Sequence, residues 1–343
     1  MGRCATVPGV APSFRLGLMY DCRLRPGSDL TMRDVYTAVV RQAAAADKLG
    51  FDFIWFTEHH FVEDGYLPAF QPVAGAVAAV TERIRISNDI ALLPLYHPIR
   101  LAEELAVLDQ LSNGRMEFGI GMGYVPKEFE AFGHDVRHRV SLTEEAIEIM
   151  RQAWSDGPVD FAGKRYRISG VEVFPKPVQP GGPPLWIAAM KEPGALRAAR
   201  YGTHLLPQGN RAEVLDPWRN ALLAEGRDPS DYRVGVARGI LVTDDPERDW
   251  PQIRDAERYK MKVYERFFTE TPDTYTFAKR DAQPIPQTWI VGDADHVVAE
   301  IEAFRQEYGV TDIGMAGLPP GIDPDFMAAN LERIATEVLP RLR

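Results

Sequence analysis

A (β/α)₈ barrel, an α/β fold with loop insertions, is what the 343-residue sequence predicts, and three observations carry that expectation. Short apolar runs alternate with segments of helical period, the links between them are short, and the alternation is repeated eight times. Successive strands joined through a helix lie parallel, because a tight turn returns the chain in the opposite direction. Eight such units suit a closed barrel better than an open doubly wound sheet.

FRLGLMY, from Phe14, reads as the first strand and leads into a loop with Pro26 and Gly27. Thr31 caps the next helix, with Asp34 at the capping-box position and Gly50 as its left-handed stop. FDFIWFT (51–57) is the second strand, and AFQPVAGAVAAVTE (69–82) is a helix of small residues that another helix can approach closely. RIRISNDIALL (83–93) is the third strand, followed by a helix from Pro98 that Asn113-Gly114 closes. RMEFGIGMG (115–123) is the fourth strand and runs into a glycine-rich turn. LWIAAM, THLLP, DYRVGVARGILV and DIGMAG are later strands, preceding helices at 193–201, 211–225, 246–265 and 325–338. Asp293 caps one further helix ahead of the last strand.

Two segments interrupt the alternation. Residues 157–184 hold six prolines and read as a short hairpin with an extended return. Residues 266–288 are aromatic, proline-bearing and aperiodic, and read as a loop that covers a site. Residues 1–13 are expected to be a flexible leader, and 14–343 one barrel domain. MGRCAT fits an N-myristoylation pattern, which is too short to outweigh the leader reading.

Composition narrows the partners. Acids outnumber bases 49 to 39, for a net charge of -10, and no run of five basic residues occurs, which argues against a nucleic-acid surface. No apolar stretch reaches the roughly 18 residues of a membrane span. Cys4 and Cys22 have no metal-type spacing, so free thiols in a reducing cytoplasm are expected.

The carboxyl ends of barrel strands form the face where chemistry occurs, and the second strand ends there on Glu58, His59 and His60. Histidine titrates near neutrality and can give or take a proton in a transition state. Adjacent histidines on extended chain point to opposite sides, so a metal site is not the reading. EFGIGMGY (117–124) ends the fourth strand with Gly119, Gly121 and Gly123, which let a flat group approach the backbone. It does not open a helix directly and is no dinucleotide fingerprint. After the fifth strand, Lys191 and Pro193 precede Gly194 and Ala195, whose free amides at a helix start would attract an anion. LDQLSNGR (108–115) enters a strand from its amino end, and an Asp109–Arg115 ion pair is expected to brace its turn.

Together, GFDFIWFTEHHF, LLPLYHPIRLAEELAVLDQLSNGRMEFGIGMGY, FGHD and PLWIAAM resemble the bacterial luciferase-like family of flavin-dependent oxidoreductases, over Phe14 to Leu339. The resemblance implies a (β/α)₈ barrel and a monooxygenase that takes reduced FMN from a separate NAD(P)H-dependent flavin reductase and uses O₂ on a small organic substrate. It implies His59 as the acid–base group, with His60 and Glu58 beside it, and a non-proline cis peptide at Asp89 and Ile90 against the isoalloxazine. Flavin contacts are implied at Gly121, Met122, Gly123 and Tyr124, and at Met190, Lys191 and Gly194. Met122 stands where the luciferase α-chain has an arginine, and Met190-Lys191 where it has Glu-Ser, so Lys191 is expected to restore the phosphate partner. A deazaflavin-dependent hydride-transfer enzyme and a non-catalytic flavin-binding barrel are the alternatives. A homodimer through helices 69–82 and 98–111 is expected.

Overall fold

The computed structural model describes residues 12–208, 212–269 and 285–343. Its strands are β1 (Arg15–Tyr20), β2 (Phe53–Phe56), β3 (Arg85–Asn88), β4 (Ala91–Leu92), β5 (Phe118–Gly121) and β6 (Val159–Ala162). They continue with β7 (Arg167–Val171), β8 (Leu185–Ala189), β9 (His204–Pro207), β10 (Gly235–Val242), β11 (Trp289–Gly292) and β12 (Asp312–Ala316). The helices are α1 (Met32–Leu49), α2 (Phe70–Val80), α3 (Pro98–Leu111), α4 (Pro126–Ala131) and α5 (Arg139–Trp154). After them come α6 (Glu192–Tyr201), α7 (Ala212–Ala224), α8 (Pro246–Thr269), α9 (Ala294–Tyr308) and α10 (Pro324–Arg333).

Parallel pairing carries the chain round a circuit. β1 lies between β12 and β2, β2 pairs with β3, and β5, β8 and β9 follow one another. β10 returns to β12. The third strand changes partner midway: β3 pairs with β2, and β4, beyond the Asp89–Ile90 peptide, pairs with β5. A single bridge, Leu205–Val234, connects β9 to β10. β6 and β7 form an antiparallel hairpin on the first insertion.

The helix ends obey the local rules. Thr31 and Asp34 form a reciprocal capping box on α1, and Gly50 closes it at φ 91°. Inside the barrel, Phe53, Trp55, Trp186 and Leu206 form a buried cluster. Trp55 has room because β10 and β12 offer glycines: a Cβ on Gly314 would lie 2.4 Å from its ring, and one on Gly235 2.7 Å from it.

Beneath this cluster, at the amino ends of the strands, sits a buried ionic network. Arg15 donates to Glu117 at 2.8 Å and also pairs with Asp312, while Arg85 reaches Glu117. The Trp186 indole donates to Glu117 at 2.8 Å, and Arg233 reaches Asp312 at 3.1 Å. Burial works to raise the Glu117 carboxyl, but the neighbouring guanidinium groups of Arg15 and Arg85 outweigh it and hold it well below the usual range.

Several expectations need correction. The third strand is not continuous over 83–93 but splits at the cis Asp89–Ile90 bond. β11 was not foreseen; it pairs with the second half of β10. The second insertion begins later than expected, because α8 continues to Thr269; residues 270–284 lie outside the described residues, as do residues 1–11 of the leader. Asp109 and Arg115 do not brace the turn together. Asp109 accepts from the Gln179 backbone and side chain at 2.9 and 2.7 Å. Arg115 instead donates to the carbonyls of Ile84, Thr81 and Ser112 at 2.7, 2.9 and 2.7 Å, satisfying acceptors left open just past the ends of α2 and α3.

Candidate active site

β2 ends at Phe56, and the extended chain beyond it turns Glu58 and His60 one way and His59 the other. His59 is buried, and its Nδ1 lies 3.0 Å from Glu128 Oε1, on the first turn of α4. The same oxygen accepts the His60 backbone N–H at 2.8 Å. His59 Nε2 has no hydrogen-bond partner among the described residues. Four aromatic rings enclose the imidazole. Phe267 stacks on it at 4.6 Å, and Tyr66, Tyr124 and Tyr264 meet it edge-on at 4.9, 5.8 and 6.1 Å. Burial pushes the phenols of Tyr66, Tyr124 and Tyr264 above their ordinary values, so all three stay neutral at pH 7.

Glu58 and His60 belong to a different group. His60 Nε2 lies 2.9 Å from Glu58 Oε1, and Glu58 Oε2 accepts from Tyr96 at 2.8 Å and from the Leu92 amide at 3.3 Å. These contacts tie the end of β2 to the segment after β4.

α8 closes the mouth over His59. Tyr264 shares a 2.7 Å hydrogen bond with Tyr66, Tyr259 donates to Asp64 at 3.0 Å, and Phe268 stacks on Tyr124 at 5.0 Å. Asp64 also accepts from the buried Arg23 at 2.7 Å. Beside His59, a cavity of about 160 Å³ is lined by His60, Phe61, Lys127, Glu128, Arg266 and Phe267.

The Asp89–Ile90 peptide is cis, the conformation the resemblance implied. Ile90 packs against Gly121, where a Cβ would come 2.0 Å from the isoleucine side chain, so glycine is required there. Asp89 is 9% exposed, and Gln208, the residue just past β9, donates to it at 3.4 Å. Burial pushes this carboxyl up to about 7. A carboxyl raised in the folded state stabilises the fold fully at pH below its unfolded value of roughly 4, and that stability is lost as pH rises to about 7. Asp89→Asn, which does not titrate, is therefore expected to gain on the wild type by about 2 to 3 kcal/mol between pH 5 and pH 8. Urea unfolding across that range measures it; a constant difference would count against the raised carboxyl.

The glycine-rich turn and the α6 start are arranged less simply than their sequences suggest. Gly123 has φ 67°, and a Cβ there would meet Phe129 at 3.0 Å. Met122 is half-buried next to it. Lys191 is the exposed N-cap of α6, and the amides of Gly194 and Ala195 both donate to its carbonyl, at 3.0 and 3.3 Å. The expected free-amide anion site is therefore absent. The helix spends those amides on its own first turn, and Glu192 adds a negative charge there. Among the described residues, no hydrogen bond or ring contact joins Met190, Lys191 or Gly194 to the His59 group, and no cluster of three or more His, Cys, Asp or Glu could hold a metal ion.

Glu128, Tyr66 and Tyr264 escaped the sequence reading, whereas Phe267 and Phe268 fall in the aromatic segment 266–288 expected to cover a site, here as the end of α8. An acid two residues past Pro126, in the first turn of a helix, was the available signal for Glu128. Nothing local could have placed Tyr264 over the end of β2.

A sequence model of the family described as luciferase-like monooxygenase matches residues 18–312. The chain belongs to the luciferase-like monooxygenase family. This luciferase-like chain is 30% identical over 173 residues to an alkanal monooxygenase alpha chain of Photorhabdus luminescens, covering 50% of this chain and 48% of that one. It thus spans about half the length of that curated relative. Over 324 residues it is 27% identical to the F420-dependent glucose-6-phosphate dehydrogenase of Amycolatopsis mediterranei, covering 89% of this chain and 94% of that enzyme. Its fold matches the FMN-bound oxygenating constituent of 3,6-diketocamphane monooxygenase from Pseudomonas putida with a TM-score of 0.75, at 21% identity over 96% of this chain and 99% of the other. No helix among the described residues of this luciferase-like protein is long and apolar enough to cross a membrane.

Proposed function

We propose that the protein is an oxidoreductase working with a flavin at the mouth of the barrel, and specifically a monooxygenase that takes reduced FMN from a separate NAD(P)H-dependent reductase and uses O₂ to oxidise a small organic substrate. One observation carries the reading: His59 offers an unpartnered Nε2 inside an aromatic enclosure at the carboxyl end of β2.

The residues present fit a flat cofactor. Phe267 and Phe268 show that the positions facing His59 and Tyr124 accept a ring at stacking distance, and displacing the end of α8 would free both slots. Asp89 and Gln208 would supply polar contacts, Met122, Gly123 and Tyr124 would line one wall, and Lys191 would meet the phosphate in place of the missing arginine. Met190 and Gly194 would flank Lys191. Bound reduced flavin would supply the electrons for oxygen chemistry.

His59 is placed to hold or move a proton at Nε2. Glu58 and His60 act as supports, because their side chains engage each other and the segment after β4. The rings of Tyr66, Tyr264 and Phe267 exclude water from the imidazole, which strengthens electrostatic interactions there. The small residues of α2 next to α3 support the proposal of a homodimer, with work in the cytoplasm.

A deazaflavin is the second reading, favoured by the match to the F420-dependent dehydrogenase over almost the whole of both chains. Parallel reconstitution with FMN and with deazaflavin, with and without O₂, across a panel of organic substrates tests both. Oxygen-dependent turnover with reduced FMN is expected. Anaerobic hydride transfer with deazaflavin alone would replace the monooxygenase reading, and flavin binding without turnover would favour a non-catalytic barrel.

A further inference from the structure

We infer that Glu128 is the positioning residue of His59, holding the imidazole with its proton on Nδ1 so that Nε2 is the reacting nitrogen, and stabilising the ring when it becomes doubly protonated. The inference rests on the proposal that His59 performs acid–base work.

The geometry assigns the donor and acceptor. Glu128 Oε1 accepts the His60 amide proton at 2.8 Å, so it is an acceptor at that point. An ionised carboxylate has no proton to give, and the 3.0 Å contact with His59 Nδ1 therefore requires Nδ1–H as donor. The proton consequently leaves Nε2 bare in the neutral ring. That nitrogen gains a proton when the ring charges, and the positive imidazolium then faces a carboxylate across one hydrogen bond. Such a charge-assisted bond is stronger than its neutral counterpart.

Glu128 is itself held. It is 1% exposed, and its other oxygen, Oε2, has no hydrogen-bond partner among the described residues. A buried carboxylate with half its acceptor capacity unused is costly unless it serves something nearby. Among the described residues, the other half is taken up by the His59 ring and the His60 amide alone. The remaining titratable groups facing His59 are the neutral phenols of Tyr66, Tyr124 and Tyr264, from the loops after β2 and β5 and from α8. Glu63, Lys127 and Arg266 line the adjoining cavity, and His60 is engaged with Glu58. Glu128 is the charged group in direct contact with the ring.

Nitrogen-15 NMR of the protein without any flavin tests this directly. Wild-type His59 is expected to show the Nδ1–H form when neutral. Glu128→Gln keeps an oxygen for the two N–H donors and removes the charge, so the proton affinity of His59 should fall at least tenfold with its tautomer retained. Glu128→Asp should recover part of that loss. In the active enzyme, Glu128→Gln should lower kcat by roughly tenfold to a hundredfold, move the acidic limb of the pH profile downward, and leave KM within about twofold. An unchanged His59 titration in folded Glu128→Gln, or a neutral Nε2–H form in the wild type, would overturn the inference. Thermal unfolding of both variants separates a folding defect from a changed titration, and Glu128→Asp is the variant to rely on if Glu128→Gln fails to fold. Because the NMR titration needs no turnover, a protein inactive with every flavin would refute the proposed function and leave this result standing on its own.

Discussion

His59→Ala is expected to lower turnover roughly 10²- to 10⁴-fold, the range a positioned acid–base group contributes. The loss should appear in kcat, since the aromatic walls that would enclose a substrate come from Tyr66, Tyr124 and α8 and are not removed. Some stability should go too, because Phe267 loses a ring stacked at 4.6 Å. Steady-state rates with reduced flavin at saturating substrate, read beside thermal unfolding, separate the two effects. Turnover within a few-fold of the wild type would remove His59 from the chemistry. The parallel change His60→Ala should instead act on stability, since that ring's partner is Glu58 and its effect passes through Tyr96 and Leu92.

At the opposite end of the barrel, Glu117→Gln is expected to cost about 3 to 5 kcal/mol of stability, the usual result of removing one partner from a buried ion pair. Arg15 would keep Asp312, but Arg85 would lose its carboxylate and Arg15 one of its two. The pH dependence follows from the sign of the shift. Glu117 is depressed in the folded state, so the unfolded chain takes up its proton first as pH falls. The stability it contributes is present above the ordinary glutamate value near about 4.3 and is lost as pH falls through the folded value. The gap between wild type and variant should therefore be widest at neutral pH and shrink in acid. Denaturant unfolding at pH 7 and at pH 3 measures this, and a gap that is the same at both would contradict it.

Local chemistry was readable wherever one residue type decides the matter. Gly50 ends α1, Thr31 and Asp34 begin it, and the run from Phe53 to Phe56 becomes β2 because all four of its side chains are apolar and buried. The histidine pair could be placed on the working face from strand order alone. The misses share a different character. Arg115 had several partners of similar chemistry within reach of its sequence position, and the carbonyls at the ends of α2 and α3 won because four acceptors lie within reach of one planar group. The amides of Gly194 and Ala195 looked free only while the Lys191 carbonyl was left out of the count. β11 is four residues long and precedes a well-capped helix, so its period could not be told from the approach to that helix. Glu128 meets His59 from 69 positions away, and such long-range pairing depends on the whole barrel being assembled.

The single bridge between β9 and β10 has a mechanical meaning. Elsewhere around the wall, neighbouring strands pair over several residues, but β9 and β10 share one bridge, at Leu205 and Val234, with the Arg233 amide donating to His204 beside it. Above it, β10 leans on β11 rather than on β9. Backbone pairing ties the rim least along this line, and the residue standing at its edge is Gln208, the partner of Asp89. An opening motion of this shell would be felt first at a buried acid.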